Sequence, residues 1–287
     1  MILFNRLTII GVGLLGASLA RAMRERGLAG HITGYGRNRG NLEKAKSLGI
    51  IDTAAIDLTA AVKDADAVVL CSPVATLASL TIEVAGKVKP GCILTDVGSV
   101  KAPVIREIEA RLPDSVHFVG AHPIAGGEKS GLDASCAGLF EGANCIVTPT
   151  PATNKEALEK TTGLWSAVGM TVVVMDMDEH DAIFAAVSHL PHVVAFALMN
   201  TVGEYKTQNH DQVTSFSGAG LRDITRIAAS DPVMWRDICL ANRTPILQLI
   251  DQFQGQLGKL RSWIEAGEGK PLEEAIESSN KYRLNLI

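Results

Sequence analysis

The chain has 287 residues, of which 47% are hydrophobic and 20% charged, proportions that are typical of a folded globular protein and exclude a disordered one. Its net charge of −4, with no block of like charge, excludes the basic surface that binds nucleic acid. This length leaves room for two domains. The five cysteines share no metal-ligand spacing, so we expect reduced thiols, a cytoplasmic location and no metal site.

The first predicted elements form a β–α–β unit around a glycine-rich turn. An apolar strand ending at Ile10 runs into Gly-x-Gly-x-x-Gly at residues 11–16, followed by a helix at 17–27 and a strand at 31–35. The first glycine permits a tight turn, the second lets the backbone approach a pyrophosphate, and the third lets helix and strand pack closely. The diphosphate would bind at the positive end of the helix. The pattern predicts a dinucleotide-binding turn rather than a flexible loop or a signal peptide.

Apolar strands and helices alternate up to about residue 176. After the first unit, strands are predicted at 67–71, 92–96, 116–120, 144–147 and 171–175, with helices at 41–49, 58–63, 75–88, 103–112 and 155–168. Near-continuous apolar strands separated by helices indicate a parallel sheet covered on both faces. We therefore predict an α/β domain of Rossmann type over residues 1–176.

From Asp178 onward only helical spacing remains, which predicts an all-α domain over residues 177–287. Its helices are predicted at 182–203, 233–251, 252–266 and 272–280. The first is apolar on nearly all sides, and its two histidines and its proline favour a helix buried in protein over one that spans a membrane. Because a small domain cannot cover such a helix alone, we expect a homodimer.

Side chains suited to catalysis follow two of the predicted strands. One strand ends in Asp96-Val97-Gly98-Ser99-Val100-Lys101, and the next ends in His122-Pro123. In doubly wound sheets, ligands bind beyond the carboxyl ends of the strands. His122 is a candidate general base because the ordinary histidine pKa is about 6.5, and Ser99 could fix its tautomer or bind a substrate hydroxyl. A structural histidine bonded to a loop carbonyl is the open alternative.

Further histidines and arginines lie in the helical half. The histidines lack the paired spacing of a metal site. His180 lies beside Asp181 at a predicted helix start, where a capping role is the default. Arg222 and Arg226 follow a small-residue segment, and arginine is the usual residue for holding a carboxylate in two parallel hydrogen bonds. A surface ion pair is the open alternative for each arginine.

Five motifs together resemble the prephenate/arogenate (cyclohexadienyl) dehydrogenase family of tyrosine biosynthesis. They occur in order over nearly the whole chain, as Gly11–Ser18, Asp96–Lys101, His122–Gly126, Ser188–His192 and Arg222–Ala228. The resemblance implies a Rossmann-type domain followed by a helical dimerisation domain. It also implies an NAD- or NADP-dependent oxidative decarboxylation of prephenate or arogenate. A hydride leaves the ring carbon that bears the hydroxyl, and the ring carboxylate departs as carbon dioxide.

The resemblance assigns roles to individual residues. It implies that His122 is the base, that Ser99 is its partner in holding the hydroxyl, and that Arg226 binds a substrate carboxylate. The other implied substrate-site residues are His192, Trp235 (with reach across the dimer as an option), Glu128, His180 and Asp181. The residues expected to bind the cofactor are Gly11, Gly13, Leu14, Leu15, Gly16, Arg37, Ser72 and Ser99.

The end of the second predicted strand departs from the pattern of NAD enzymes. Those enzymes carry an acidic residue there, which bonds the ribose 2′-hydroxyl. This chain has Gly36 followed by Arg37, which removes a charge hostile to a 2′-phosphate and offers a guanidinium to pair with it. NADP is therefore compatible with this junction, and the choice between NAD, NADP and use of both stays open.

Two other functions stay open at this point. One is a β-hydroxyacid dehydrogenase or imine reductase, which shares the two-domain layout, and the other is a non-catalytic nucleotide-sensing regulator. The hydroxyacid enzymes centre on a lysine in the helical part, whereas residues 178–251 contain only Lys206, outside any matching motif. Ser99, His122 and Arg226 together argue against a regulator. The sequence leaves the choice between prephenate and arogenate open.

Overall fold

The computed structural model describes residues 2–127 and 131–286. Its strands are β1 Phe4–Ile10, β2 Ala29–Tyr35, β3 Thr53–Ala55, β4 Ala67–Leu70, β5 Ile93–Asp96, β6 His117–Pro123, β7 Asn144–Thr148 and β8 Thr171–Val174. Its helices are α1 Leu14–Glu25, α2 Arg39–Ser47, α3 Leu58–Val62, α4 Val74–Ala85, α5 Ala102–Glu109, α6 Lys155–Ala167, α7 Met177–Phe184, α8 Leu190–Glu204, α9 Ala219–Thr225, α10 Pro232–Ala241, α11 Arg243–Ala266 and α12 Gly269–Leu284.

The eight strands form one sheet in the order β3-β2-β1-β4-β5-β6-β7-β8. Strands β1 to β6 are parallel, as predicted, and β4 and β5 are buried along their whole length. Two apolar clusters fill the space between the sheet and its helices, one beneath α1 and the other beneath α4 and α5. This arrangement confirms the predicted α/β Rossmann-type fold, with helices on both faces of the sheet.

The prediction of a wholly parallel sheet is wrong at β7, which runs antiparallel to β6. The described residues between these strands form two short 3₁₀ turns, so the chain re-enters the sheet at the edge it left, where Pro123 pairs with Cys145. To run parallel to β6, strand β7 would have to begin at the opposite edge of the sheet, and the chain would need a crossover connection to reach it. Such a crossover occurs one step later, where α6 connects the parallel strands β7 and β8. Strand β3 was not predicted, because three residues are too few to show a periodic pattern.

After β8, the described residues up to 286 form helices joined by turns and loops. Helices α7 and α8 are joined by a π-helical turn, Ala185–His189, into one helix over Met177–Glu204. This 28-residue helix is long and apolar enough to span a membrane by length and composition, since its most apolar 18-residue window has a mean hydropathy of 1.8. Only 22% of that window is buried. A single chain therefore leaves most of residues 182–203 uncovered, which agrees with the expectation that the small domain cannot cover this helix alone. The surrounding helices contact only part of its circumference.

The predicted helix break at residues 251–252 is also wrong, since the break lies at Asn242, between α10 and α11. The side chain of Asn242 is buried, and its amide donates hydrogen bonds to other parts of the site described below. Helix α11 then continues unbroken to Ala266, because residues 251–252 carry no terminating signal such as glycine or proline.

Candidate active site

The glycine-rich turn between β1 and α1 is shaped by close approach of the backbone. Gly11 has φ +92°, and a Cβ there would overlap the carbonyl oxygen of Cys71 at the end of β4. A Cβ at Gly16 would overlap the carbonyl oxygen of Gly11. By contrast, nothing lies within 4 Å of a Cβ built at Gly13. The first and third glycines are therefore required by packing, and the second leaves open space in front of the turn.

The open space meets groups that are ready to bind a diphosphate. The first N–H groups of α1, those of Leu14, Leu15 and Gly16, have no acceptor within the helix, and Gly13 provides no capping side chain. On the neighbouring loop, the Ser72 hydroxyl is buried without a hydrogen-bond partner among the described residues. An orphaned hydroxyl and unpaired helix N–H groups fit the phosphate and ribose oxygens of a dinucleotide.

The rim of this site at the end of β2 carries no acidic group. A Cβ at Gly36 would contact only the side chain of Leu42, at 3.9 Å, and Arg37 beside it is exposed. The Asn41 amide on α2 donates to the carbonyl oxygen of Val12 (3.0 Å) and so holds α2 against the glycine-rich turn.

His122 lies near the end of β6 and begins a chain of three hydrogen-bonded side chains. Its Nδ1 is 2.8 Å from Nε2 of His180 on α7, and Nδ1 of His180 is 2.8 Å from Oδ1 of Asp181. The Asp181 carboxylate also accepts backbone N–H bonds from Lys101 (2.8 Å) and Ala102 (2.9 Å) at the start of α5. His180 and Asp181 are buried, whereas His122 is half-buried.

This chain of bonds fixes the tautomer of His122. The Asp181 carboxylate can only accept, so Nδ1 of His180 carries a hydrogen and Nε2 of neutral His180 is an acceptor. His122 must then donate from Nδ1, which leaves the lone pair on its Nε2 available to a ligand. In catalytic triads, a base is oriented by a hydrogen bond to a further side chain. Here His180 orients His122 in the same way, and the buried Asp181 carboxylate orients His180.

The surroundings of His122 keep it neutral. Burial lowers its pKa well below 6.5, and positive charge on His180, Lys101 and His189 would lower it further. Burial also lowers the pKa of His180, partly opposed by the hydrogen bond to Asp181. Both rings are therefore unprotonated near neutral pH, which is the form that accepts a proton from a substrate hydroxyl.

Two sequence-based expectations about this centre need correction. The Ser99 hydroxyl makes no hydrogen bond to His122, so His180 fixes the tautomer instead; Ser99 lies in the turn between β5 and α5. His180 is not a helix cap either. Asp176 caps α7 by accepting the N–H groups of Asp178 and Glu179, which leaves His180 free to face His122.

The helical half supplies a second wall of aromatic and charged side chains. His192 stacks on Trp235 of the same chain, with ring centroids 3.6 Å apart, and its Nδ1 donates to the carbonyl oxygen of Ser188 (2.9 Å). Trp235 is buried, and its Nε1 has no hydrogen-bond partner in the described part of the chain. Arg226 begins a 3₁₀ turn after α9 and lies close enough to lower the pKa of His192. A carboxylate-bearing ring would find stacking surface and a cation here.

Asn242 connects this wall to the His122 centre. Its amide donates to the carbonyl oxygen of Asp181 (2.8 Å) and to Nδ1 of His189 (3.0 Å). Burial lowers the pKa of His189 to about 4, so this ring is neutral, and its hydrogen resides on Nε2. Sequence reasoning gave no role to Asn242. The signal that could have found it is a polar, turn-favouring residue inside a predicted apolar helix.

The remaining predicted residues separate into two groups. Leu14, Leu15 and Ser72 surround the glycine-rich turn, while His180 and Asp181 join His122. Glu128 lies outside the described residues. No group of three or more His, Cys, Asp or Glu side chains that could hold a metal occurs in residues 2–127 and 131–286.

A dinucleotide turn and a neutral histidine at the same edge of a doubly wound sheet are the features of an oxidoreductase that uses a nicotinamide cofactor. Residues 19–174 match the family model described as prephenate dehydrogenase, nucleotide-binding domain, and residues 176–278 match the one described as prephenate dehydrogenase, dimerization domain. The chain belongs to the prephenate dehydrogenase family. It is a dehydrogenase that catalyses oxidative decarboxylation in tyrosine biosynthesis.

Relatives of known name support this assignment. The cyclohexadienyl dehydrogenase of Zymomonas mobilis is 35% identical over 286 residues, which cover 100% of this chain and 97% of the relative. The crystal structure of prephenate dehydrogenase from A. aeolicus is 37% identical, with a TM-score of 0.92 over 99% of this chain and 98% of that chain. The Synechocystis arogenate dehydrogenase structure is 26% identical, with a TM-score of 0.84 over 98% and 100% of the two chains.

Proposed function

We propose that the chain oxidises prephenate, arogenate or both, with His122 as the base that accepts the proton of the ring hydroxyl. The observation that carries this proposal is the hydrogen-bonded chain from His122 through His180 to Asp181. It leaves Nε2 of His122 as an acceptor at the edge of the sheet where the cofactor-binding turn also lies. The similar solved structures include a prephenate dehydrogenase and an arogenate dehydrogenase, which supports keeping both substrates open.

The nicotinamide supplies the hydride acceptor when it is bound. The residues of the chain do the remaining work. Nε2 of His122 takes the hydroxyl proton as the carbon–oxygen bond becomes a carbonyl. The resulting imidazolium donates a hydrogen bond from Nδ1 to Nε2 of His180, and His180 in turn donates to the Asp181 carboxylate. Carbon dioxide then leaves from the same ring, and the electron pair it leaves behind moves through the ring to the carbonyl oxygen as the ring becomes aromatic. That oxygen takes back the proton from Nε2 of His122 and becomes the phenol.

We assign substrate binding to the wall formed by Arg226, His192 and Trp235. Arg226 holds a carboxylate, because a guanidinium offers two parallel N–H donors. His192 is neutral in the free enzyme, since burial lowers its pKa, and its Nε2 is left free by the bond from Nδ1 to Ser188. Trp235 Nε1, which has no partner in the described part of the chain, is a donor for a polar group of the substrate.

For the cofactor, we propose that the chain accepts NADP as well as NAD. The A. aeolicus structure is a complex with NAD+, which supports use of NAD(H) by the shared fold. The rim at Gly36 and Arg37 supports NADP, because it lacks an acidic group and carries an exposed guanidinium where a 2′-phosphate would lie.

We further propose that the chain is a homodimer assembled through residues 177–287. The matching family model is described as a dimerization domain. The apolar helix Met177–Glu204 is largely uncovered, and Val187, Leu240 and Ile264 in this half are about two-thirds exposed (66%, 67% and 66%). A second copy would remove this apolar surface from water.

The test is a set of four assays that combine prephenate or arogenate with NAD or NADP and follow the absorbance of the reduced nicotinamide. Turnover with at least one pair, with one carbon dioxide released for each nicotinamide reduced, is the expected result. Reduction without release of carbon dioxide would contradict the reaction. Absence of turnover in all four assays, with cofactor binding intact, would favour the nucleotide-sensing alternative.

A further inference from the structure

A fully buried ion pair that the proposed chemistry does not use lies directly beneath the catalytic edge. Lys101 and Asp96 are both 0% exposed, and their side chains bond to each other. Ionised side chains are almost never buried completely unless they are paired, since each must give up its hydration. Burial of this ion pair therefore costs hydration free energy, and its contacts must offset that cost.

The ion pair of Lys101 and Asp96 bonds to backbone groups of β6 that lie beyond the end of β5. Strand β6 runs to Pro123, beyond the point where β5 ends at Asp96 and the chain departs towards Ser99. The backbone of Ala121 would lack partners there, but its N–H donates to Oδ1 of Asp96 (3.1 Å) and its carbonyl accepts from the Lys101 ammonium (2.9 Å). Two side chains thus satisfy the groups that a continued strand would pair.

The same two residues contact every segment that carries the centre. Ala121 immediately precedes His122. The Asp96 carboxylate accepts the N–H of Gly98 (2.8 Å) within the turn that holds Ser99. The backbone N–H of Lys101 donates to Asp181, the carboxylate behind His180. One buried pair therefore connects the strand of His122, the turn of Ser99 and the helix of His180.

We propose that Lys101 and Asp96 are positioning residues that hold His122 and the Ser99 turn in register for catalysis. This inference rests on the proposed role of His122 as the base. Lys101 has a second effect, since its positive charge disfavours protonation of His122. The groups that face His122 are His180 and His189 from the helical half and Lys101 from the start of α5, with Asp181 and Asp96 behind them.

The test compares Lys101→Met with a control on the opposite edge of the sheet. There Lys89 donates to Asp66 (2.6 Å), whose other oxygen accepts the N–H of Arg6 (2.8 Å). Lys89→Met thus breaks a lysine–aspartate pair with the same bonding pattern, partly exposed and far from the centre. For Lys101→Met we expect kcat to fall about 10²-fold with cofactor Kd unchanged, since misplacing a reacting group by about 1 Å has that effect. Lys89→Met should keep both values.

The pH profile separates positioning from general damage. Loss of the Lys101 charge raises the pKa of His122, so the acid limb of kcat/KM should move to higher pH in Lys101→Met and stay in place in Lys89→Met. An unchanged kcat and an unchanged limb would overturn the proposal. So would a loss of kcat that is matched by an equal loss of cofactor affinity. Failure of His122→Asn to lose activity would instead contradict the proposed function.

A milder variant decides the case if Lys101→Met does not fold. A Cβ at Gly98 would lie 2.5 Å from the Leu77 side chain, 2.8 Å from Oδ2 of Asp96 and 3.5 Å from Nζ of Lys101. Gly98→Ala therefore displaces the pair without removing either charge. We expect a lower kcat, with unchanged cofactor Kd and an acid limb that stays in place. A wild-type kcat in folded Gly98→Ala would overturn the proposal.

Discussion

At the scale of single residues, the proposed base His122 is oriented by its hydrogen-bond partners. Its position could be predicted from the sequence, because His122 ends a strand at the edge where such sheets bind ligands. Its tautomer could not, since His180 lies 58 residues further along the chain, and only the packing of α7 against this edge brings the two rings together. Ser99 follows the neighbouring predicted strand and was expected either to fix this tautomer or to bind a substrate hydroxyl; the first role belongs to His180, and the second stays a prediction.

The wild-type pH profile should reflect the neutral state of His122. Activity requires the unprotonated ring, and burial together with the neighbouring charges lowers its pKa well below 6.5. As pH falls, kcat/KM should therefore stay constant through pH 6.5 and decline only when the lowered pKa is reached. A decline centred at or above pH 6.5 would contradict this environment.

Replacing His180 tests whether the tautomer matters. His180→Leu removes the acceptor for Nδ1 of His122 and should lower kcat about 10²-fold, within the range typical of acid–base catalysis. His180→Gln places an amide oxygen near the position of Nε2 and should lose less, because that oxygen can still accept the bond. The readout is kcat together with cofactor Kd, which both variants should retain. Equal activity of His180→Leu and the wild type would exclude the role.

At the scale of elements, apolar runs predicted most of the strands and the glycines predicted the turn. The direction of β7 was missed, because residues between β6 and β7 give no sign of which edge the chain will re-enter. The helix break was missed because the bonds that hold Asn242 join it to Asp181 and His189, 61 and 53 residues away in the chain. Its only local signal is that of a turn-favouring residue inside an apolar helix. Periodicity reports which face of an element is buried, and not which element it meets.

The junction of β2 and α2 should control the choice of cofactor. Gly36→Asp places a carboxylate beside the proposed 2′-phosphate position, so NADP affinity should fall at least about tenfold, equivalent to about 1.4 kcal/mol. NAD affinity should hold or improve, because the carboxylate can bond a 2′-hydroxyl. Calorimetry on the free enzyme measures both Kd values.

The matched pair for this junction is Arg37→Gln and Arg111→Gln, both at exposed arginines. Arg37→Gln should weaken NADP binding and leave NAD binding intact, whereas Arg111→Gln, beyond the end of α5, should change neither. Equal NADP affinity in Gly36→Asp, Arg37→Gln and the wild type would remove the proposed basis for NADP use.

At the scale of the whole molecule, one chain completes the cofactor turn and the His122 centre but leaves much apolar surface uncovered. That surface lies in the helical half, where the sequence predicts a buried helix and a single chain does not bury it. The uncovered helix agrees with the expectation that a small domain cannot cover it alone, and cover by a second copy stays a prediction.

The homodimer can be tested by mass in solution and by one charged substitution. The wild type should show about twice the 30.4 kDa of the chain in light scattering. Val187→Glu, on the uncovered helix, should dissociate it. Ile56→Glu is the control, since Ile56 is similarly exposed (61% against 66% for Val187) but lies in the dinucleotide-binding half. A monomeric wild type, or two variants that both stay dimeric, would refute the proposed interface.

The measurement that tests the central claim most directly is the kcat of His122→Asn, with cofactor Kd measured on the same sample. Asparagine can still donate to His180 but has no basic lone pair, so kcat should fall by about 10²–10⁴-fold while cofactor binding persists. Near-normal turnover in this variant would show that His122 is not the base and that the centre built around it does not perform the reaction.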